Sequence, residues 1–221
     1  MGYRLYHYDT FNGTLCEYAV RVETLNGKDR DDITFFVRPN PLAYDNSNKV
    51  CFVFSTFTYL AYANERLYDK TRENTANLGP GFDITKALKS FEFYKMQRRS
   101  DLGLSLYDRH TDGSGVCYSS SKRPILNIRP GYVMWGFSRP REFSADLMII
   151  GFLEREGIPY ETITDHDLHI RGVDAISGFN TVITGCHPEY PTLNSFAAYT
   201  SYAKRGGNIM YLGGNGFYWL L

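Results

Sequence analysis

Neither sign of charge predominates in this chain. Lys plus Arg and Asp plus Glu are 24 each across 221 residues, so the formal net charge is zero. That balance excludes the electropositive footprint of a nucleic-acid-binding protein and the polybasic surface of a membrane-associated one. No apolar run approaches the roughly 20 residues that span a bilayer. The opening stretch "MGYRLYHYDTFNG" lacks a basic segment followed by an apolar one, so it does not read as a signal peptide. Tyr6 and His7 stand where a myristoylation signal wants a small hydroxyl residue. Cysteine is sparse and scattered, at Cys16, Cys51, Cys117 and Cys186, with no CxxC pair. Without a CxxC pair a zinc ribbon is not expected, nor is a disulfide framework at this density, and a reducing, cytoplasmic compartment is expected.

Aromatic residues are abundant, with 18 Tyr and 15 Phe. They read first as core filling and subunit-interface lining; the functional reading makes some tyrosines ligands or pocket walls.

Residues 1–40 read as strands ("YRLYHYDT", "LCEYAVRVETL", "ITFFVRP") with turns at Asn12-Gly13 and Asn26-Gly27, a small antiparallel β segment that ends a preceding domain. A Pro/Asn-rich connector, "RPNPLAYDNSNK", follows. "KVCFVFST" (Lys49–Thr56) is a continuous apolar run, as expected of a strand buried on both faces. Residues 57–141 read as a long irregular stretch, interrupted by one helical piece near Ile84–Arg98; such a stretch is usually functional. From Ser144 the pattern is regular. "SADLMIIGFLEREG" predicts a helix with Ser144 as N-cap and Gly157 as C′. "PYETITD", "FNTVITG" and "NIMYLGG" predict strands, and "PTLNSFAAYTSYAKRGG" predicts a helix between the last two. The alternation predicts an α/β domain over 41–221, a parallel sheet with covering helices. The apolar ending "NIMYLGGNGFYWLL" is expected of a fragment of something longer.

Ligands collect at the carboxyl ends of such strands. "TGCHPEY" and "LGGNGFYW" both fall there. Cys186 follows a buried strand as a nucleophile elbow would, but His187-Pro188 follows it, and proline removes an N–H donor of any oxyanion hole. A buried structural thiol is therefore favoured. His187 and Glu189 are one residue apart and can point the same way, either to ligate a metal or transfer protons, or as a turn histidine capped by a carboxylate. Asn215 in "GGNG" either orients a substrate or occupies a left-handed turn, the turn being favoured on pattern alone. Tyr59 and Tyr62, after the first buried strand, also reach the rim. In "SLYDRHTDGSGVCYSS", Tyr107, Asp108, Arg109, His110 and Asp112 are dense; "DGSG" reads as a hairpin, with Arg109 and Asp112 as a surface pair.

Taken in order, "ITFFVRP", "TFTYLAYANE", "LSLYDRHTDGSGVCYSS", "GFNTVITGCHPEYPT" and "KRGGNIMYLGGNGFYW" resemble the large (beta) subunit of the N,N-dimethylformamidase family, from about Asp31 to Trp219. The family's large subunit is much longer than this chain. The resemblance implies a class I glutamine-amidotransferase-like (flavodoxin-like) parallel sheet with helices on both faces. It implies hydrolysis of a small amide at one iron held by two tyrosines and a glutamate. Residue by residue, Glu189 matches the glutamate, Tyr107 the second tyrosine, and Tyr62 the first, with Tyr59 as rival. His187 and Asn215 match the neighbouring histidine and asparagine, taken as catalytic. Phenolate and carboxylate are hard oxygen donors that suit Fe(III). A small alpha subunit and homo-oligomerisation are also implied by the resemblance.

Overall fold

The computed structural model describes residues 2–6, 17–36, 50–66, 99–134 and 137–221. The helical piece expected near Ile84–Arg98, the connector after residue 37, the Asn12-Gly13 turn and Cys16 lie outside the described residues. The chain divides into two compact units: one formed by Met1–Thr56 with Asp146–Leu221, the other by Phe57–Ala145.

The first unit begins with three antiparallel strands, β1 (Gly2–Tyr6), β2 (Glu17–Glu23) and β3 (Arg30–Phe36), in the order β1-β2-β3. The turn between β2 and β3 has Gly27 at φ 66°, a conformation that glycine reaches without a Cβ penalty. The second sheet is parallel. Its strands are β4 (Val50–Phe54), β7 (Tyr160–Thr164), β8 (Thr181–Thr184) and β9 (Asn208–Met210), ordered β7-β4-β8-β9. In β4, Cys51 to Phe54 are all buried, as the unbroken apolar run requires. Phe36 of β3 lies 5.1 Å from Phe54 between ring centroids, joining the two sheets.

Three helices connect the parallel strands. Helix α2 (Phe143–Arg155) enters β7, α3 (Asp165–Arg171) leaves it, and α4 (Leu193–Lys204) joins β8 to β9. The step from β4 to β7 moves one way across the sheet; those from β7 to β8 and from β8 to β9 move the other way. Right-handed crossovers therefore put α2 on one face and α3 with α4 on the opposite face. The α3–α4 face is the core: Cys51, Val53, Ile163 and Val182 pack with Leu168, Ala198, Tyr199 and Tyr202. Burying each large apolar side chain here contributes about 1.5–3 kcal/mol. Because the connections of β4 and β8 diverge, the topological switch point lies between the carboxyl ends of these two strands.

Helix ends follow local chemistry. Gly157 has φ 64°, its N–H reaches Glu154 O at 3.0 Å, and Ile158 N–H reaches Leu153 O at 2.9 Å, a Schellman ending. At the other end of α2 the expectation needs correction. The helix begins at Phe143, so Ser144 lies within its first turn, where its hydroxyl accepts from Arg141 N at 3.1 Å and donates to Tyr132 O at 2.7 Å. Helix α3 was not foreseen, although Thr164 and Asp167 form a capping box at its start. Thr192 and Ser195 do the same for α4.

The second unit is not irregular at its start: α1 (Thr56–Ala61) follows β4 after a single residue. Its β-branched and aromatic residues have low helix propensity, which hid it from pattern reading. Beyond it come short 3-10 turns at Ser100–Leu102 and Leu126–Ile128 and the two-residue strands β5 (Val133–Met134) and β6 (Arg139–Pro140), paired antiparallel.

Replacing the cap in Thr192→Ala is expected to lower stability by about 1 kcal/mol. Thr200→Ala, which removes only an exposed hydroxyl contact to Phe196 O, is expected to stay within about 0.5 kcal/mol of wild type. Chemical denaturation of the two variants side by side checks both values.

Candidate functional site

At the switch point the strand pairing runs on past β8, because Gly185 N–H donates to Val53 O at 3.1 Å. Cys186 N–H then donates to the buried Asp146 carboxylate at 2.6 Å. From here the loop after β8 and the loop after β9 are zipped together by backbone bonds. Gly214 N–H reaches Cys186 O at 3.1 Å, Phe217 N–H reaches Pro188 O at 2.8 Å, and Tyr218 N–H reaches Glu189 O at 3.0 Å. The approach is so close that a Cβ on Gly213 would stand 2.6 Å from Cys186 O, so only glycine fits. Phe217 anchors the second loop, its ring edge-on to Tyr199 at 5.2 Å and to Phe196 at 5.9 Å.

This frame presents His187 and Glu189. Their side chains meet, Nε2 to Oε2, at 3.0 Å, and both are largely enclosed. Since the carboxylate oxygen accepts, Nε2 carries the proton. The pair therefore does point one way, as their spacing allowed. Asn215 is exposed and sits at φ 49°, so the left-handed turn position is real, and the turn keeps its amide at the strand ends. Cys186 does not occupy an elbow. Helix α4 starts only at Leu193, so no helix N-terminus stands behind the thiol to favour its anion.

His166, at the carboxyl end of β7, is a polar residue at the rim that the sequence reading did not single out. Its Nδ1 lies 2.8 Å from Thr56 Oγ1, at the carboxyl end of β4. Burial is the main influence on its pKa and depresses it, with Asp167 opposing and the His169 charge adding to the effect. Its position after "ETIT", as the second residue of a capped helix, was the available signal.

In the second unit the hub is Asn64, fully buried at φ 59°. Its Nδ2 donates to Leu102 O at 2.9 Å and Pro124 O at 2.8 Å, its Oδ1 accepts Leu126 N–H at 2.8 Å, and its own N–H donates to Asn127 Oδ1 at 2.9 Å. Asn127 in turn donates to Tyr62 O at 3.1 Å. Asp108 fastens the other segment, accepting Ser105 N–H at 2.9 Å and Arg66 N–H at 3.1 Å. Leu106 N–H closes on Ala61 O at 2.9 Å.

The product of this lacing is a tyrosine pair. Tyr62 and Tyr107 stack with centroids 4.2 Å apart and planes 14° apart, and the Tyr62 hydroxyl donates to that of Tyr107 at 2.7 Å. Tyr59 instead packs edge-on against Phe143 at 6.2 Å. Of the two rival tyrosines, Tyr62 is thus the one that shares its hydroxyl with Tyr107. The Arg141 guanidinium lies 4.2 Å from the Tyr62 centroid and bonds Glu65 at 2.6 Å and Glu142 at 2.9 Å. Burial pushes the Glu65 carboxyl up to about 7, against the pull of Arg141 and with help from Glu142 and Asp108. Burial opposes the Arg141 charge too, but Glu65, Glu142 and the Tyr62 and Tyr132 phenols outweigh it and hold the arginine above its usual range.

The "DGSG" hairpin forms, with Arg109 bridging Gly115 and Gly113 at φ 89°. The expected Arg109–Asp112 pair does not. Arg109 bonds Gly113 O at 3.1 Å, while Asp112 accepts Ser114 N–H at 2.9 Å, which satisfies the turn locally.

Among the described residues no three or more of His, Cys, Asp and Glu converge as metal ligands. The phenols are another kind of donor. Two oxygens bound side by side to one octahedral cation at about 2.0–2.1 Å lie about 2.9 Å apart. The Tyr62–Tyr107 hydroxyl separation, 2.7 Å, already fits that spacing. A carboxylate offers two oxygens, so the contact from His187 to one oxygen of Glu189 does not preclude ligation through the other. The two phenols therefore fit a hard, oxygen-ligated ion in chemistry and in spacing.

Comparison with known proteins places these residues in context. The sequence matches the family described as "N,N-dimethylformamidase beta subunit-like, C-terminal" over residues 15–221. It is 40% identical over 205 residues to the N,N-dimethylformamidase beta subunit of Paracoccus aminophilus, covering 92% of this chain and 26% of that protein. Identity to the protein of the same name from an Alcaligenes species is 38% over 204 residues, with the same 92% and 26% coverage. The chain thus spans about a quarter of the length of the curated relatives it matches.

Asn64→Ala removes three hydrogen bonds from a fully buried side chain and places alanine at positive φ, so a loss of about 2 kcal/mol or more is expected. Asn64→Gly, which accepts the backbone angle, separates the hydrogen-bond part from the strain part in denaturant unfolding. A second expectation concerns pH. Because the His166 pKa is depressed in the fold, the unfolded chain binds the extra proton below its ordinary value of about 6.5. This histidine's contribution to stability is therefore present above that pH and lost as pH falls below it. Comparing the acid side of the stability profile in wild type and His166→Gln checks the sign: the variant should lose less on acidification.

Proposed function

Because the chain belongs to the N,N-dimethylformamidase beta subunit-like family, as its C-terminal region, we propose that it carries the reaction centre of an iron-dependent hydrolase of small N-substituted amides. The observation that carries this reading is the Tyr62–Tyr107 hydroxyl pair at 2.7 Å, built from segments 45 residues apart. Tyr62, Tyr107 and Glu189 are the residues that would hold one iron ion, probed as Fe(III), through two phenolates and a carboxylate. Bound there, the ion would supply Lewis acidity, polarising an amide carbonyl and making a water molecule more acidic.

This chain's own residues handle protons and orientation. In hydrolysis the water oxygen bonds to the acyl carbon, the C–N bond breaks, and the amine leaves with a proton. His187 is the carrier, taking a proton from water and giving one to the departing nitrogen. Its contact with Glu189 fixes the ring and stabilises the imidazolium when it forms. The Asn215 side-chain amide hydrogen-bonds the carbonyl oxygen or the charge that develops on it. The products are a carboxylic acid and an amine, and N,N-dimethylformamide is the model substrate.

The same reading extends to the surroundings. The parallel sheet with its switch point between β4 and β8 supports an amidotransferase-like arrangement for the α/β part of the chain. A small alpha subunit and further copies of the large subunit complete the enzyme. A cytoplasmic location belongs to the same reading, in keeping with the sparse and scattered cysteines. No helix among the described residues is long and apolar enough to cross a membrane.

In the complete protein, metal analysis should find about one iron per large subunit. Glu189→Ala and Tyr107→Phe should each lose iron and at least about 100-fold in kcat/KM. Cys186→Ser should remain within about threefold of wild type, since the thiol has no part in the chemistry. Wild-type protein that turns over without iron, or a Cys186→Ser variant as dead as Glu189→Ala, would overturn the assignment.

A further inference from the structure

We propose that Arg141 is a positioning residue for the phenol pair: clamped by Glu65 and Glu142, its guanidinium holds the Tyr62 ring in register with Tyr107 and lowers the donor energy of the Tyr62 oxygen. The inference rests on the iron reading above for its spectroscopic test.

The geometry is specific to arginine. The NH1 edge bonds Glu65 Oε1 at 2.6 Å and the Nε edge bonds Glu142 Oε1 at 2.9 Å. With both edges fixed, the flat face is what remains for the Tyr62 ring, 4.2 Å away. A planar, permanently charged group can do this and a lysine ammonium cannot.

The cluster is also poor as a stabilising device. The Glu65 and Glu142 side chains are 2% and 1% exposed, so two carboxylates are taken out of water for one cation. Among the described residues Glu65 Oε2 finds no hydrogen-bond partner. Burying ion pairs of this kind rarely adds net stability. Glu142 additionally occupies positive φ, 53°, a conformation that costs a non-glycine residue about 1 kcal/mol or more. What the cluster achieves is the placement of a fixed positive charge on one particular phenol.

The sequence hides this because Arg141 lies 79 positions from Tyr62 in "SRPREF" and looks like any loop arginine.

The test uses the complete protein loaded with Fe(III), reading three quantities: iron content, the wavelength of the phenolate-to-iron charge-transfer band, and kcat with KM separately. A cation beside a phenolate lowers its filled orbitals, so removing the charge moves the band to longer wavelength. Arg141→Gln should shift the band that way at full iron occupancy, and kcat should fall about tenfold with KM changed less than about threefold. Arg141→Lys should return the band part of the way without restoring kcat. Should Arg141→Gln fail to fold, Glu65→Gln loosens one side of the clamp while keeping the charge. It should broaden the band and lower kcat, and an unmoved spectrum with wild-type kcat overturns the proposal. A purely structural arginine predicts a weaker band at the wild-type wavelength, in proportion to lost iron, and that result also overturns it. A wild-type protein with no such band removes the iron reading and this inference together; a wild-type band that Arg141→Gln leaves in place removes this inference alone.

Discussion

One buried amide does for the second unit what a hydrogen-bond ladder does for the first. Asn64 satisfies peptide groups at Leu102, Pro124 and Leu126 that no helix or strand serves. A buried peptide group left unpaired costs about 1–3 kcal/mol, so a segment without regular structure can be buried only where something takes its bonds. Asn64 takes them because its left-handed backbone turns the side chain back across three strands of loop. Everything chemically distinctive in this unit is hung from that point: Asn127 leads from it to Tyr62, and Tyr62 to Tyr107 and Arg141.

The first unit solves the same problem by pairing its two functional loops with each other. Their backbone groups are satisfied mutually, and their side chains are left over for chemistry. Gly213 permits this pairing by having nothing at Cβ, and Phe217 secures it by packing against the core. The result is that His187, Glu189 and Asn215, each unremarkable alone, are supplied by one rigid piece at the place where a parallel sheet opens its crevice.

Much of this was legible from sequence, and unevenly so. The parallel strands and helices α2 and α4 could be read because continuous apolar runs and end signals such as Gly157 are local properties. Helix α3 was equally local, with Thr164 and Asp167 at capping spacing, and was missed because the strand before it claimed the same residues. Helix α1 had Ser55 as a possible cap, but its β-branched and aromatic residues gave it too little propensity to stand out. The meeting of Tyr62 with Tyr107 is not a local property at all. No periodicity relates them; likeness to a family suggested Tyr107, and left Tyr59 and Tyr62 as rivals for the other place. The ring contacts are what separate those two. The Arg141 clamp had no sequence signature, because an arginine among carboxylates reads the same whether it faces water or a phenol.

The seating of Phe217 among Tyr199, Phe196 and Tyr211 carries a kinetic implication. A loop whose ring packs against the core cannot swing out without giving up that packing, so its opening carries a cost that an unanchored surface loop does not. The amide protons of Gly214, Phe217 and Tyr218, bonded across the two loops, should accordingly exchange more slowly than those of an unanchored surface loop. The ordering entropy of that loop is in this measure settled once, when the chain folds.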